Sequence, residues 1–110
     1  MPIVMIHSSR PTGSVSNMLA EVRDSGAQAL GCGPENVWVT HQETPTGTPP
    51  FVLVKALAGR SPEIRAAFAR ATTEAVARGL ATSPKGIWLH FEEMRPHDVW
   101  TGGKWASSDR

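Results

Sequence analysis

The chain repeats itself, and that limits what it can fold into more than any other feature. Adding 50 to a residue number carries Arg10 onto Arg60, Ala27 onto Ala77, Leu30 onto Leu80, Pro34 onto Pro84, Trp38 onto Trp88 and Glu43 onto Glu93, without a gap. Similar residues keep the same register, with Met18 on Phe68, Val37 on Ile87 and Val39 on Leu89. Only four tryptophans occur in the chain, so a matched pair among them is a strong sign of duplication. Two copies of about 50 residues are too few for a solenoid, which needs at least about three stacked repeats. A duplicated unit within one domain is the alternative, with pseudo-repeats at about 1–44 and 50–103 of a single domain 1–110.

Each copy reads in the same order. An apolar strand (Pro2 to His7; Phe51 to Leu57) passes through a turn holding Arg10 or Gly59-Arg60 into a helical stretch. Val15, Met18, Leu19, Val22, Gly26, Ala29 and Leu30 recur at three- and four-residue spacing, as do Ile64, Ala67, Phe68, Ala71, Ala75 and Leu80, so each stretch predicts an amphipathic helix. The second helix has a clear start in Ser61 as N-cap, Pro62 behind it and Glu63 in the first turn. For the first helix both Thr12 and Ser14 are candidate caps. Gly31 to Pro34 and Ala81 to Pro84 end the helices, and Val37 to Thr40 and Ile87 to Phe91 read as returning strands. Strand, helix, strand with so long a crossover predicts parallel pairing within each unit. The fold class expected is therefore α/β (α+β), with duplicated β-α-β units forming a four-stranded sheet and two helices on one face.

Two helices leave the other face of that sheet bare, although its strands are apolar on both sides. Oligomerisation is the natural cover. A net charge of +1 with scattered basic residues offers nothing to nucleic acid. No stretch is long enough for a membrane span and the amino terminus lacks the pattern of a signal peptide, so a cytoplasmic location is expected. Cys32 is the one cysteine, read as a reduced structural thiol in a turn. His7, His41, His90 and His97 show no metal-ligand spacing, and no glycine-rich phosphate loop opens a helix, so neither metal nor cofactor is expected.

Pro2 is the candidate for chemistry. Removal of Met1 would leave a prolyl secondary amine as the terminus, at the head of the apolar run Ile3-Val4-Met5-Ile6. An α-amino group titrates at about 7.7–8.0, and apolar surroundings disfavour its charged form, which brings such an amine toward the range of a general base. Many unrelated chains begin Met-Pro, so this signal takes its weight from the rest of the sequence.

Met-Pro-Ile-Val at the start, Ala58-Gly59-Arg60-Ser61-Pro62-Glu63 before the second helix, and Ile87 to Met94 followed by Trp100-Thr101-Gly102-Gly103 together resemble the tautomerase superfamily, typified by 4-oxalocrotonate tautomerase. The two-unit layout is similar to its fused members, such as macrophage migration inhibitory factor. The resemblance implies a homotrimer with sheets facing a central core, and a cofactor-independent tautomerase (isomerase) acting on a small carboxylic acid, with Pro2 as base. It further implies that Arg60 binds the substrate carboxylate, for which a planar, permanently charged guanidinium is suited. On its residues alone Arg60 fits a solvated turn or helix-proximal charge better than a binding site. Arg10 holds the same register behind a shorter strand and is the lesser candidate for the substrate.

The departures from the pattern are specific. Pro50 stands at Pro2's place in the second unit, but its nitrogen is an amide, so one site per chain is expected. The family's second arginine, on the returning strand, aligns with Trp38 and Trp88, and Trp88 is read as an apolar pocket wall or a core residue. The aromatic residue before the family's Gly-Gly aligns with Val99 or Trp100. His90 shares a face with Trp88 and Glu92 by alternation and is a further substrate-binding candidate. Thr101 and Asn36 stand where the dehalogenase and decarboxylase branches carry acidic residues. Alternative readings on the same scaffold are hydration, dehalogenation or decarboxylation of a small unsaturated acid, or a trimeric binding or signalling protein without turnover.

Overall fold

The computed structural model describes residues 2–107. Its principal elements are β1 (Ile3–Ser8), α1 (Ser16–Leu30), β2 (Trp38–Glu43), β3 (Phe51–Leu57), α2 (Pro62–Leu80), β4 (Trp88–Met94) and a terminal hairpin of β5 (Trp100–Thr101) and β6 (Lys104–Trp105). The main sheet runs β2-β1-β3-β4. Pairing is parallel inside each unit, β1 with β2 and β3 with β4, and antiparallel between the units where β1 meets β3. The duplicated β-α-β architecture read from the repeat is the architecture found.

Both helices pack on one face. Val4, Ile6, Val52 and Val54 point from the central strands into a core completed by Met18, Val22 and Ala27 of α1 and by Phe68, Ala75 and Val76 of α2. Alternation sends Ile3, Met5, His7, Phe51, Leu53 and Leu57 to the opposite face, where they are half-buried and meet no helix. The register adds Trp38, Trp88, His90 and Met94 to that bare face.

Local chemistry accounts for most element boundaries. Ser61 caps α2, its hydroxyl oxygen accepting a hydrogen bond from the Ile64 amide at 3.2 Å, and Pro62 begins the helix. The start of α1 differs from expectation. A short 3-10 turn over Thr12–Ser14 precedes it, Val15 holds the cap position, and no side chain caps the helix. Neither candidate hydroxyl is available: Ser14 donates to the Pro11 carbonyl at 2.7 Å, while Thr12 bonds the His41 ring at 2.9 Å. The returning strands run longer than the sequence pattern suggested, to Glu43 and Met94, because both keep pairing with their parallel neighbours to the end of those strands. The β5–β6 turn is Gly102-Gly103, with φ of +61° and +80°, the left-handed pair that a two-residue hairpin requires.

Candidate functional site

Since β1 and β3 run antiparallel, the sheet has two chemically distinct ends. At one end β1 begins and β3 stops; at the other β1 stops and β3 begins. The ends are roughly 20 Å apart, the length of a six-residue strand. Ile3 pairs with Trp38 and Phe51 with Trp88, so Pro2 and Pro50 hold equivalent places at opposite ends.

Pro2 is fully buried, and its carbonyl accepts a hydrogen bond from the Trp38 amide at 3.1 Å. At the same end of the sheet lies a largely apolar cavity of about 250 Å³ lined by Ile3, Trp38, Leu57, Met94, Val99, Trp100 and Thr101. These residues come from both units. Ile3 and Trp38 belong to the first, Leu57 and Met94 are the paired ends of β3 and β4, and Val99 to Thr101 lead into the hairpin. The hairpin is braced by the edge-to-face contact of Trp100 with Trp105, ring centroids 5.2 Å apart.

Arg60 stands at this same end. The chain leaves β3 at Leu57 and turns through Gly59, whose φ of +119° lies in the region that glycine alone adopts readily. The Arg60 Nη1 donates back to the Leu57 carbonyl at 3.2 Å, which ties the guanidinium to a residue of the cavity wall and leaves its other donors unused by that bond. Thus Pro2, Arg60 and Trp100, three of the residues singled out from sequence, share one end of the sheet.

The other three lie away from that end. Arg10 donates from Nη2 to the Leu80 carbonyl at 2.9 Å and lines a separate cavity of about 160 Å³ with Ser8, Ser9, Thr48, Pro50, Leu80 and Thr82. Trp88 pairs with Phe51 at the Pro50 end, while His90 pairs with Leu53, opposite Met5 at the middle of the β1–β3 pairing. Trp88 is 60% exposed and stacks on the His90 ring at 6.0 Å; in the single chain it is neither core nor a wall of the Pro2 cavity. Trp38, seen in the sequence only as the first unit's counterpart of Trp88, lines that cavity together with Trp100.

The described residues include no group of three or more His, Cys, Asp or Glu placed to hold a metal ion, and no helix long and apolar enough to cross a membrane.

Comparison with known proteins bears on the family and the fold. The sequence profile of the family described as "Tautomerase enzyme" matches residues 50–108. A probable tautomerase of Halalkalibacterium halodurans is 42% identical over 55 residues, covering 50% of this chain and 90% of that protein. Among solved structures, native fused 4-OT superposes with a TM-score of 0.85 at 19% identity, covering 94% of this chain and 95% of the other. A fused 4-OT solved as an asymmetric trimer gives the same values. Macrophage migration inhibitory factor of Toxoplasma gondii gives a TM-score of 0.73 at 20% identity, covering 94% and 98%. The structural likeness, at these identities, establishes the shared two-unit fold. The profile match spans more than half of the chain and includes the turn with Arg60, α2, β4 and the hairpin, and it settles the family: this chain belongs to the tautomerases.

Proposed function

We propose that the protein is a cofactor-independent tautomerase that moves a proton between oxygen and carbon of a small α-keto or enol acid, with the Pro2 amine, freed by removal of Met1, as base. The observation that carries this reading is the junction of a fully buried Pro2 and a tethered Arg60 at the same end of the sheet as an apolar cavity of about 250 Å³. Burial of Pro2 favours an uncharged amine, which can accept a proton from the enol oxygen and return it to carbon. Arg60 holds the carboxylate and stabilises negative charge spreading over the enolate. Trp38 stands where a second cation is found in the family pattern, so charge stabilisation rests mainly on Arg60.

The bare sheet face supports a homotrimer, the state in which a fused 4-OT was solved. In such an assembly a neighbouring copy is the means by which Trp88 and His90 would reach a Pro2 cavity. Thr101, in place of an acidic residue, disfavours the water-activating branches of the same scaffold.

Pro2→Ala retains an amino terminus but replaces the constrained secondary amine. It is expected to lower turnover of an enol acid such as phenylenolpyruvate by about 10²-fold or more. Turnover within twofold of wild type would remove the amine from the mechanism and favour a binding role for the fold.

A further inference from the structure

The end of the sheet away from Pro2 carries a hydrogen-bonded polar cluster that the other end lacks. Ser8, only 2% exposed, closes β1 and places its Oγ 2.7 Å from Nε2 of His41, across the sheet on β2. Thr12 Oγ1 lies 2.9 Å from the other ring nitrogen, Nδ1. The Arg10 amide donates weakly to Ser8 Oγ at 3.4 Å, so the hydroxyl's own proton is left for His41. In the tautomer whose Nδ1–H donates to Thr12 Oγ1, Nε2 accepts the Ser8 proton, which is the arrangement of a nucleophile with its oriented base. Ser8 and Arg10 both line the cavity of about 160 Å³, room for roughly five water molecules.

The duplication shows that the scaffold does not need this cluster. By strand register Ser8 corresponds to Ala56 and His41 to Phe91, and the repeat carries Thr12 onto Pro62. The second unit closes the equivalent place with apolar packing, Phe91 lying edge-on to Phe68 with ring centroids 6.1 Å apart. A serine, a histidine and a threonine thus stand together where the second unit has three apolar residues, beside a cavity lined by a guanidinium.

We propose that this end is a second site, at which Ser8 accepts an acyl group from a small ester bearing a carboxylate, with His41 as base and Arg10 as the carboxylate's anchor. Ser8 Oγ adds to the ester carbonyl while His41 Nε2 takes its proton. The tetrahedral adduct then collapses, the bond to the leaving oxygen breaks, and His41 returns the proton to the departing alcohol. Water adds to the acyl-serine by the same route, releasing the acid and restoring Ser8. Burial lowers the pKa of His41 below its ordinary value of 6.5, against the opposing charge of Glu43 and with a smaller contribution from His7, which keeps the ring neutral and able to act as base at pH 7.

The test uses the full chain with p-nitrophenyl acetate and mono-p-nitrophenyl succinate, followed by release of nitrophenolate and by peptide mapping of the acylated protein. One acyl group is expected on Ser8. Ser8→Ala should lose that label while keeping enol turnover at the Pro2 end, Ser8→Cys should carry it as a thioester, and His41→Gln should slow acylation by about 10²-fold. Arg10→Gln should slow the succinate ester at least about tenfold more than the acetate ester. An acyl group found only on the Pro2 amine or on lysines of the wild-type chain overturns the proposal, as does labelling unchanged by Ser8→Ala.

Discussion

Arg10 and Arg60 occupy the same register of the repeat yet finish at opposite ends of one sheet, because β1 and β3 are antiparallel. Arg60→Ala is expected to remove a charge-assisted carboxylate contact of about 2–4 kcal/mol and to lower kcat/KM for an enol acid by roughly 30- to 1000-fold. Arg10→Ala should cost less than about tenfold on that substrate. Kinetics on both variants, with circular dichroism to verify folding, decide the order, and the reverse order would move the carboxylate site to the first unit. His41 supplies a pH signature of its own. Its pKa is lowered in the fold by burial, so the unfolded chain takes up the proton first as pH falls through 6.5. The stability linked to His41 is therefore present above 6.5 and is lost on acidification down to the folded-state value. Urea unfolding at pH 7.5 and pH 5, at one protein concentration, should show a loss that His41→Gln reduces; an identical loss in the variant contradicts the assignment. The place of Arg60 in a turn at the end of β3 was legible because that turn and the helix start behind it are distinctive. Trp38 was not, because the repeat alone makes it the equal of Trp88 and says nothing about which end of the sheet each one reaches.

The two strand-helix-strand units were legible at the scale of elements because apolar period and helix breakers agreed in both copies. Ser61 illustrates this, since a serine followed by Pro62 and Glu63 has few other uses. The start of α1 was less legible for a physical reason: both of its hydroxyl candidates are engaged elsewhere, one by a carbonyl three residues back and one by a histidine 29 residues ahead. The contact between the helices depends on small residues. A Cβ on Gly79 would stand 2.6 Å from Met18 Cβ, an atom fixed to the α1 backbone, so α1 and α2 cannot keep their spacing around a larger side chain. Gly79→Ala gains about 1 kcal/mol of helix propensity and incurs about 1–3 kcal/mol of overpacking. Unchanged or lower stability is the expected result in urea denaturation, whereas a gain near 1 kcal/mol would mean that the helices are free to separate there.

For the molecule as a whole, the helix-covered face is a closed core and the other face is half-buried and apolar, with Trp38 and Trp88 51% and 60% exposed. A homotrimer at micromolar concentration is expected in sedimentation equilibrium, and a monodisperse monomer would contradict it. The need for a cover was legible from the count of two helices against four strands. The difference in chemistry between the two ends was not, since it depends on the antiparallel join of β1 with β3 and on a Ser8–His41 contact between residues 33 apart. The central claim is that the Pro2 nitrogen is the base, and the chain offers a direct test because that nitrogen is reactive only as an amine. Turnover of an enol acid should be compared between protein whose intact mass shows Met1 removed and protein carrying an additional residue ahead of Pro2. The account predicts that the amide form loses about 10²-fold or more in kcat with the fold unchanged by circular dichroism; equal turnover by the two forms would contradict it.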